Sequence, residues 1–564
     1  MAPAEIKNRF APIAALAVLC WIVLFHNLGG PALIEPDEGR NAEVAREILV
    51  LGDWVTPHYD FIPYLDKPMP FFWLAAGAYK LFGISEFSAR LPAALAALGC
   101  LLLVYDLGRR RAGPWAALWS VLVLATCPMF MAFSRAVIFD MPLAFFITLA
   151  LWAFIRGGTA EANAAWKFYM LMYAAAGAAV MVKGPVGAGV PGLIIGIYWL
   201  VYRRPPLRAM KPFYGAVLLL LIAAPWYLWA DARNPGYMRY FFVEENFLRY
   251  LTPHFNRVKP WHFYFEVLAV GFLPWIALLH LPFMRASAQK TADKLLLVLW
   301  AAVPFIFFSF SAAKQPGYIL PMFPALALLV GPAIAGVLEA TSQRMRRALA
   351  VPWLVFLVPV TYLSLALLIP GLLPPGATAA ALTFIPQPSW LFITVFILLL
   401  LFVAGASLWA SPPTYFVASC VALSALHLFA SGVFDRISNS RSSRELAAKA
   451  LPLIRPDDQL AVYSNYMSSL PFYLSVERPF WVIASEGGTD IMGSFYMAAK
   501  NPRPALGSGD VIMSFDKFAE LWHHPPARLI VFVEEKKLSR LAADVGAVPK
   551  PLLTFGGVAI VTNQ

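Results

Sequence analysis

Ile34-Glu35-Pro36-Asp37-Glu38-Gly39-Arg40-Asn41 follows the first long apolar run of a 564-residue chain and sets two adjacent carboxylates and a guanidinium where that run ends. Ionisable side chains are ordinary in water but costly beside lipid, where each is a functional candidate by default. The plain structural reading is that Asp37, after a proline and ahead of a helical pattern, caps a helix. The choice between the two depends on whether the rest of the chain lies in a membrane.

Composition answers that question. The chain is 60% hydrophobic and only 13% charged, with a mean hydropathy of +0.66, which describes a polytopic membrane protein rather than a soluble enzyme of this length. Its net charge of +12 raises the question of nucleic acid. The basic residues, however, sit in short segments between apolar runs, with no basic face and no RNA-reading motif, so no nucleic-acid partner is expected. Cys20, Cys100, Cys127 and Cys420 all fall inside apolar runs without metal spacing, and read as packing residues.

A membrane-crossing helix needs roughly 20 mostly apolar residues. Thirteen runs qualify, near 10–28, 90–108, 113–133, 139–156, 167–182, 184–202, 212–230, 262–283, 295–311, 317–338, 349–369, 390–410 and 413–432. Lys7 and Arg9 precede the first as in a signal peptide, but no small-x-small cleavage site follows, and it reads as an uncleaved span. With the N-terminus inside, Arg109-Arg110-Arg111, Arg203/Arg204/Arg208/Lys211, Arg285/Lys290/Lys294 and Arg344/Arg346/Arg347 all lie on the cytoplasmic side, as the positive-inside rule requires. An odd number of spans then leaves the C-terminus outside.

The same topology puts segments 29–89 and 231–261 and everything after about 433 on the outer face. In the first outer loop, residues 39–51 carry Ala42, Ala45, Ile48 and Leu49 at helical spacing, which predicts a short interfacial helix. Residues 68–82 are apolar but short, and predict a second interfacial or re-entrant helix. After 433 the pattern changes to strands near 459–463, 480–483, 528–533 and 558–561, with a helix at 443–451. The expectation is therefore a polytopic α-helical membrane domain over 1–432 and a soluble C-terminal α/β domain over 433–564, the latter with an accessory role. No Walker or Rossmann motif occurs, so no nucleotide cofactor is expected.

Chemistry-bearing residues converge on the outer face. Asp37 and Glu38 end the first span, and Asp140 opens the fourth. Lys67, Lys183 and Lys314 each precede a proline directly or by one residue at a helix break. Any one lysine could simply snorkel. Together, carboxylates and several cations suit a phosphate-bearing substrate, with cations holding the anion and stabilising charge on a departing phosphate. In the absence of nucleotide motifs, a lipid-linked phosphate donor is the natural candidate.

Glu35-Pro36-Asp37-Glu38-Gly39-Arg40, followed by Tyr64-Leu65-Asp66-Lys67-Pro68 and by Arg135…Asp140 at the fourth span, resembles the GT-C membrane glycosyltransferases. Within these it is similar to the protein O-mannosyltransferase relatives and most of all to the bacterial lipid A aminoarabinose transferases. The resemblance implies a GT-C fold, an undecaprenyl-phosphate sugar donor, a lipid A acceptor and a site on the periplasmic side of the inner membrane, with polymyxin resistance as the outcome. It implies catalytic roles for Asp37 and Asp140, and places Arg40, Tyr64, Lys67, Lys183, Arg249, Lys314 and Tyr318 near the donor phosphate. Glu38, Asn246 and Tyr264 are further substrate contacts on this reading. A divalent metal on Asp66 and His254 is a weaker implication, because Asp66 is one methylene shorter than the family's usual glutamate.

The acceptor decides what Asp37 must do. A hydroxyl acceptor needs a base, whereas a phosphate monoester, with a second pKa of about 6, is already ionised at neutral pH. Two other readings remain open: a protein or polysaccharide glycosyltransferase of the same fold, and a lipid flippase or secondary transporter. Transporters place ionisable residues near mid-membrane on broken helices, whereas these gather at one rim.

Overall fold

A computed structural model describes the chain except for residues 1–2, 254–257, 285–290, 340–345, 356, 359–388, 484–491, 501–504 and 506–510. Two compact units divide it: Met1–Leu28, Pro92–Pro225 and Arg249–Phe434 form the first, and Gly29–Leu91, Trp226–Leu248 and Asp435–Gln564 the second. Segments 29–91 and 226–248 thus group with the C-terminal residues, a grouping different from the sequence boundary at 432/433.

The first unit is helical. Among the described residues, seven helices of the chain are long and apolar enough to cross a membrane, or eight if a bent pair counts as one span. The expected thirteen are not reached by this measure for physical reasons that differ along the chain. Phe10–Leu24, Val186–Tyr202 and Ile397–Trp409 are apolar helices of shorter length. The runs at 90–108 and 113–133 fold as Glu86–Ala125, broken at Gly113, whose φ of 89° no helix accommodates, and the separate short helix Pro128–Ser134. The run at 262–283 is a broken pair, Phe263–Gly271 and Trp275–Phe283, bent by 98°. The span expected at 349–369 lies mostly outside the described residues.

In the second unit, residues Asp37–Leu51 form a helix as expected, and most of it is buried. Eleven of its residues are buried, including Arg40, Glu43, Arg46 and Glu47. Arg46 makes two bonds to Glu43 (2.7 and 2.8 Å) and donates to the carbonyl of Val476 at 2.5 Å. Glu47 accepts from the backbone N–H groups of Asp60 (2.7 Å) and Phe61 (2.9 Å). These two residues form the turn of a small hairpin, β1 (His58–Tyr59) and β2 (Ile62–Pro63). Burying charge is tolerable only with such pairing. The helix predicted at 68–82 is Met69–Phe82.

The C-terminal segment builds a six-stranded sheet ordered β5-β4-β3-β6-β8-β7, from β3 (Gln459–Tyr463), β4 (Trp481–Ile483), β5 (Ile512–Met513), β6 (Leu529–Glu534), β7 (Lys550–Phe555) and β8 (Val558–Thr562). β5, β4, β3 and β6 are parallel, and β8 and β7 close the sheet antiparallel. Both faces are buried, as a parallel sheet needs. In β6, Leu529, Val531 and Val533 pack with Phe518, Trp522 and Leu541, while Ile530 and Phe532 pack with Leu446, Leu470 and Phe61. Phe61, from the hairpin, therefore completes the core of a sheet that begins about 400 residues later.

Candidate active site

Asp37 is the first residue of its helix, not its cap: Pro36 holds the capping position, and no side-chain cap forms. A carboxylate in the first turn still gains from the helix dipole. Its direct partner is the guanidinium of Arg40 one turn on, the i,i+3 spacing that brings side chains together. Arg40 is buried, donates to the carbonyl of Gly493 at 3.4 Å and lies 5.8 Å from the centroid of the Tyr64 ring. The Asp37 side chain is 50% exposed. A fixed cation beside an open carboxylate is an arrangement that orients the carboxylate without covering it.

Glu38 is put to another use. Its two oxygens accept from Arg90 at 2.8 and 2.9 Å, and its side chain is 6% exposed. Arg90 also holds the carbonyls of Pro31 and Ala32. The adjacent carboxylates separate because successive helical residues point about 100° apart: one faces solvent, the other the packed side. Glu38, expected as a substrate contact, forms a buried ion pair that fixes the loop.

Lys67 lies in a bend just before Pro68 and the helix Met69–Phe82. Its ammonium meets Glu245 at 2.5 Å and the carbonyl of Asp66 at 2.9 Å. The lysine side chain is 22% exposed and the glutamate 2%. Asp66, itself buried, accepts from the Tyr240 hydroxyl and from the Tyr496 N–H at 3.1 Å. Burial raises the Asp66 carboxyl above the usual carboxylate range, Glu245 adds to the rise, and Lys67 opposes it. Burial likewise pushes the Tyr64 and Tyr240 phenols up. Asn246 donates to the carbonyl of Phe241 at 2.7 Å, a bond internal to the π-helical turn Arg239–Leu248.

The first unit carries an ion pair of its own. Asp140 opens the helix Asp140–Thr159 and meets the ammonium of Lys183, the last residue of Ala162–Lys183, at 2.6 Å. That ammonium also lies 4.7 Å from the centroid of the Tyr318 ring. Gly317 makes room for the pair, since a Cβ there would stand 2.5 Å from Asp140 Cγ. Lys314 is buried and donates to the carbonyl of Ser311 at 2.7 Å, and the Tyr264 hydroxyl donates to the carbonyl of Gln315 at 3.1 Å. Arg249 is buried at the start of Arg249–Leu251. Arg135, the basic end of the Arg135…Asp140 motif, donates to the carbonyls of Val23 and His26, tying down the end of the first helix.

Sequence reasoning missed Glu245, Tyr240 and Arg90. Glu244-Glu245 is an acidic pair between apolar runs, the same signal that singled out Asp37-Glu38. Among the described residues no three His, Cys, Asp or Glu side chains gather as metal ligands. His254 lies outside the described residues, and Asp66 has its Tyr240 and Tyr496 donors, so no step below is routed through a metal.

A relative from Pectobacterium carotovorum subsp. carotovorum (strain PC1), named undecaprenyl phosphate-alpha-4-amino-4-deoxy-L-arabinose arabinosyl transferase, is 30% identical over 390 residues, 66% of this chain and 68% of its own. The chain belongs to that aminoarabinose transferase family. A relative of the same name from Edwardsiella ictaluri is 32% identical over 353 residues, 61% of this chain, and the match spans 62% of that relative's length. The family model for dolichyl-phosphate-mannose-protein mannosyltransferases matches residues 66–229. The crystal structure of ArnT from Cupriavidus metallidurans bound to undecaprenyl phosphate superposes with a TM-score of 0.83 at 26% identity, over 98% of each chain. The fold is thus the GT-C fold of this family, and the protein is a multi-pass membrane protein.

Proposed function

We propose that this protein transfers 4-amino-4-deoxy-L-arabinose from undecaprenyl phosphate to a phosphate of lipid A, at the periplasmic face of the bacterial inner membrane. The observation that carries the reading is the open Asp37 carboxylate, aimed by buried Arg40, in the same loop as Lys67. The relatives' names support the sugar and its carrier, and the placement of Lys and Arg between the apolar runs supports a cytoplasmic N-terminus and an outer C-terminal segment.

The lipid A phosphate is ionised at neutral pH and needs no base. Its oxygen attacks the anomeric carbon as the carbon–oxygen bond to the carrier phosphate breaks, and that bond's electron pair leaves with undecaprenyl phosphate, inverting the centre. Lys67 takes up the charge growing on the departing phosphate. Asp37, left without a proton to abstract, steadies the positive charge on the sugar ring or its ammonium. Each sugar added gives lipid A a cation, which weakens its attraction for cationic peptides such as polymyxin.

The test is transfer by purified protein from undecaprenyl-phosphate aminoarabinose to lipid A, read by mass spectrometry, beside the Asp37→Asn variant. Lipid A gains the sugar with the native chain and not with the variant. Sugar appearing on a protein or glycan instead would move the acceptor, and a fully active variant would remove Asp37 from the chemistry.

A further inference from the structure

The lysine that the proposed mechanism needs for the departing phosphate is already engaged in an ion pair. Lys67 meets Glu245 at 2.5 Å, and Glu245 is almost wholly buried. Glu245 sits in the π-helical turn Arg239–Leu248, a geometry found disproportionately at functional sites. The turn is anchored beside it by the Tyr240 hydroxyl on Asp66 and by the edge-on contact of the Tyr240 and Tyr496 rings, 5.1 Å between centroids. Glu245 is therefore a carboxylate held in place next to the ammonium that directly follows the Tyr64-Leu65-Asp66 stretch.

Charge changes during the reaction proposed above, on which this inference rests. The donor is a phosphodiester with one negative charge. When the carbon–oxygen bond breaks, the carrier leaves as a monoester with a charge of roughly −1.5 to −2 at neutral pH. A lysine that helps the phosphate depart therefore also holds the product more tightly than the donor, and turnover would stall on it. A buried carboxylate within ion-pair distance of the same ammonium competes with the phosphate for it, and the competition is resolved in favour of release.

We infer that Glu245 is a positioning residue for the carrier phosphate: it exchanges with phosphate on Lys67, and it speeds the release of undecaprenyl phosphate after transfer. It touches the lysine, not the reacting atoms.

The test compares Glu245→Gln, Glu245→Asp and Lys67→Met in the full-length detergent-solubilised or nanodisc protein, with two readouts. The first is equilibrium binding of undecaprenyl phosphate, and the second is steady-state transfer. With Glu245→Gln, undecaprenyl phosphate binds on the order of tenfold tighter, the worth of one lost competing interaction. KM for donor and kcat fall together, and added undecaprenyl phosphate inhibits more strongly. Glu245→Asp, which keeps the charge, lies nearer the native protein. A residue that only supported the fold would lower kcat and weaken binding, with no gain in product affinity. Unchanged or weaker binding in Glu245→Gln, with a native melting profile, overturns the inference. Lys67→Met tests the underlying reading separately: if it binds undecaprenyl phosphate as the native chain does, Lys67 is not the phosphate lysine. If Lys67→Met loses binding while Glu245→Gln behaves as native, the inference alone fails.

Discussion

Asp37 and Glu38 are neighbours in sequence and opposites in role, and substitution should separate them. Asp37→Asn removes a charge that is half exposed and paired only within its own helix, so folding should persist while transfer falls on the order of 100-fold or more. Glu38→Gln leaves the Arg90 guanidinium buried without its counter-charge, a loss of about 3 kcal/mol or more. That variant should show a lowered melting temperature and poor yield, with residual protein still turning over. Thermal unfolding and transfer assays on both variants check the contrast, and a stable but inactive Glu38→Gln would reverse it. The pair also marks how far the sequence could be read. The motif made Asp37 and Arg40 visible because three residues along a helix is a local relation. The partner of Lys67 lies 178 residues away, and that of Glu38 lies 52 away, and nothing in local spacing encodes either.

At the scale of elements, the helix Asp37–Leu51 was legible as a helix but not as a buried one. Its Arg40, Glu43, Arg46 and Glu47 look like a solvated face until their partners at Asp60, Val476 and Gly493 are known. The same holds for the breaks at Gly113 and between Gly271 and Trp275, which hydropathy alone does not distinguish from continuous spans. Burial gives the helix a pH dependence. Burial first, then the nearby Glu43 and Asp60 carboxylates, raise Glu47 well above the ordinary range, so the folded state holds its proton more tightly than the unfolded chain does. The stability this contributes is full below the ordinary carboxylate pKa and is lost as pH rises through the raised value. Glu47→Gln keeps one acceptor for the Asp60 and Phe61 N–H groups instead of two, so it should be less stable than the native chain in acid. It should also lose less stability on going alkaline, a flatter melting-temperature profile that pH-scanned calorimetry would read. Gly317→Ala is the matching experiment in the first unit. Its Cβ would stand 2.5 Å from Asp140 Cγ, so the carboxylate must leave Lys183. If Asp140 has the catalytic role that the family resemblance implies, transfer should drop at least tenfold with the protein still folded, whereas native activity would show that the Asp140–Lys183 pair can shift without consequence.

For the whole molecule, the C-terminal segment reads from sequence as a soluble domain with an accessory role, and the division into units gives that reading a test. The second unit holds residues 29–91 and 226–248 together with 435–564. Ser443 and Ser469 both donate to Glu35, at 2.5 and 2.7 Å, and Phe61 fills the core beneath β6. Gly39 lies so close to the backbone of Ser469 that a Cβ would come within 2.6 Å. Arg46 gives a bond to Val476, and Asp60 accepts from the N–H of Phe480 at 2.9 Å. A chain ending at Phe434 would expose Phe61 to water and leave Arg46 and Asp60 without part of their hydrogen bonding, in the same loop that carries Asp37 and Lys67. The expected result is a truncated protein that still inserts into membranes, because its apolar helices are intact, but that transfers no sugar and is cut by protease within residues 29–91. Adding the separately expressed 435–564 segment should not restore it unless the loop can refold around the sheet. An active truncated chain would show that the first outer loop holds its shape alone, and would return the C-terminal segment to an accessory role.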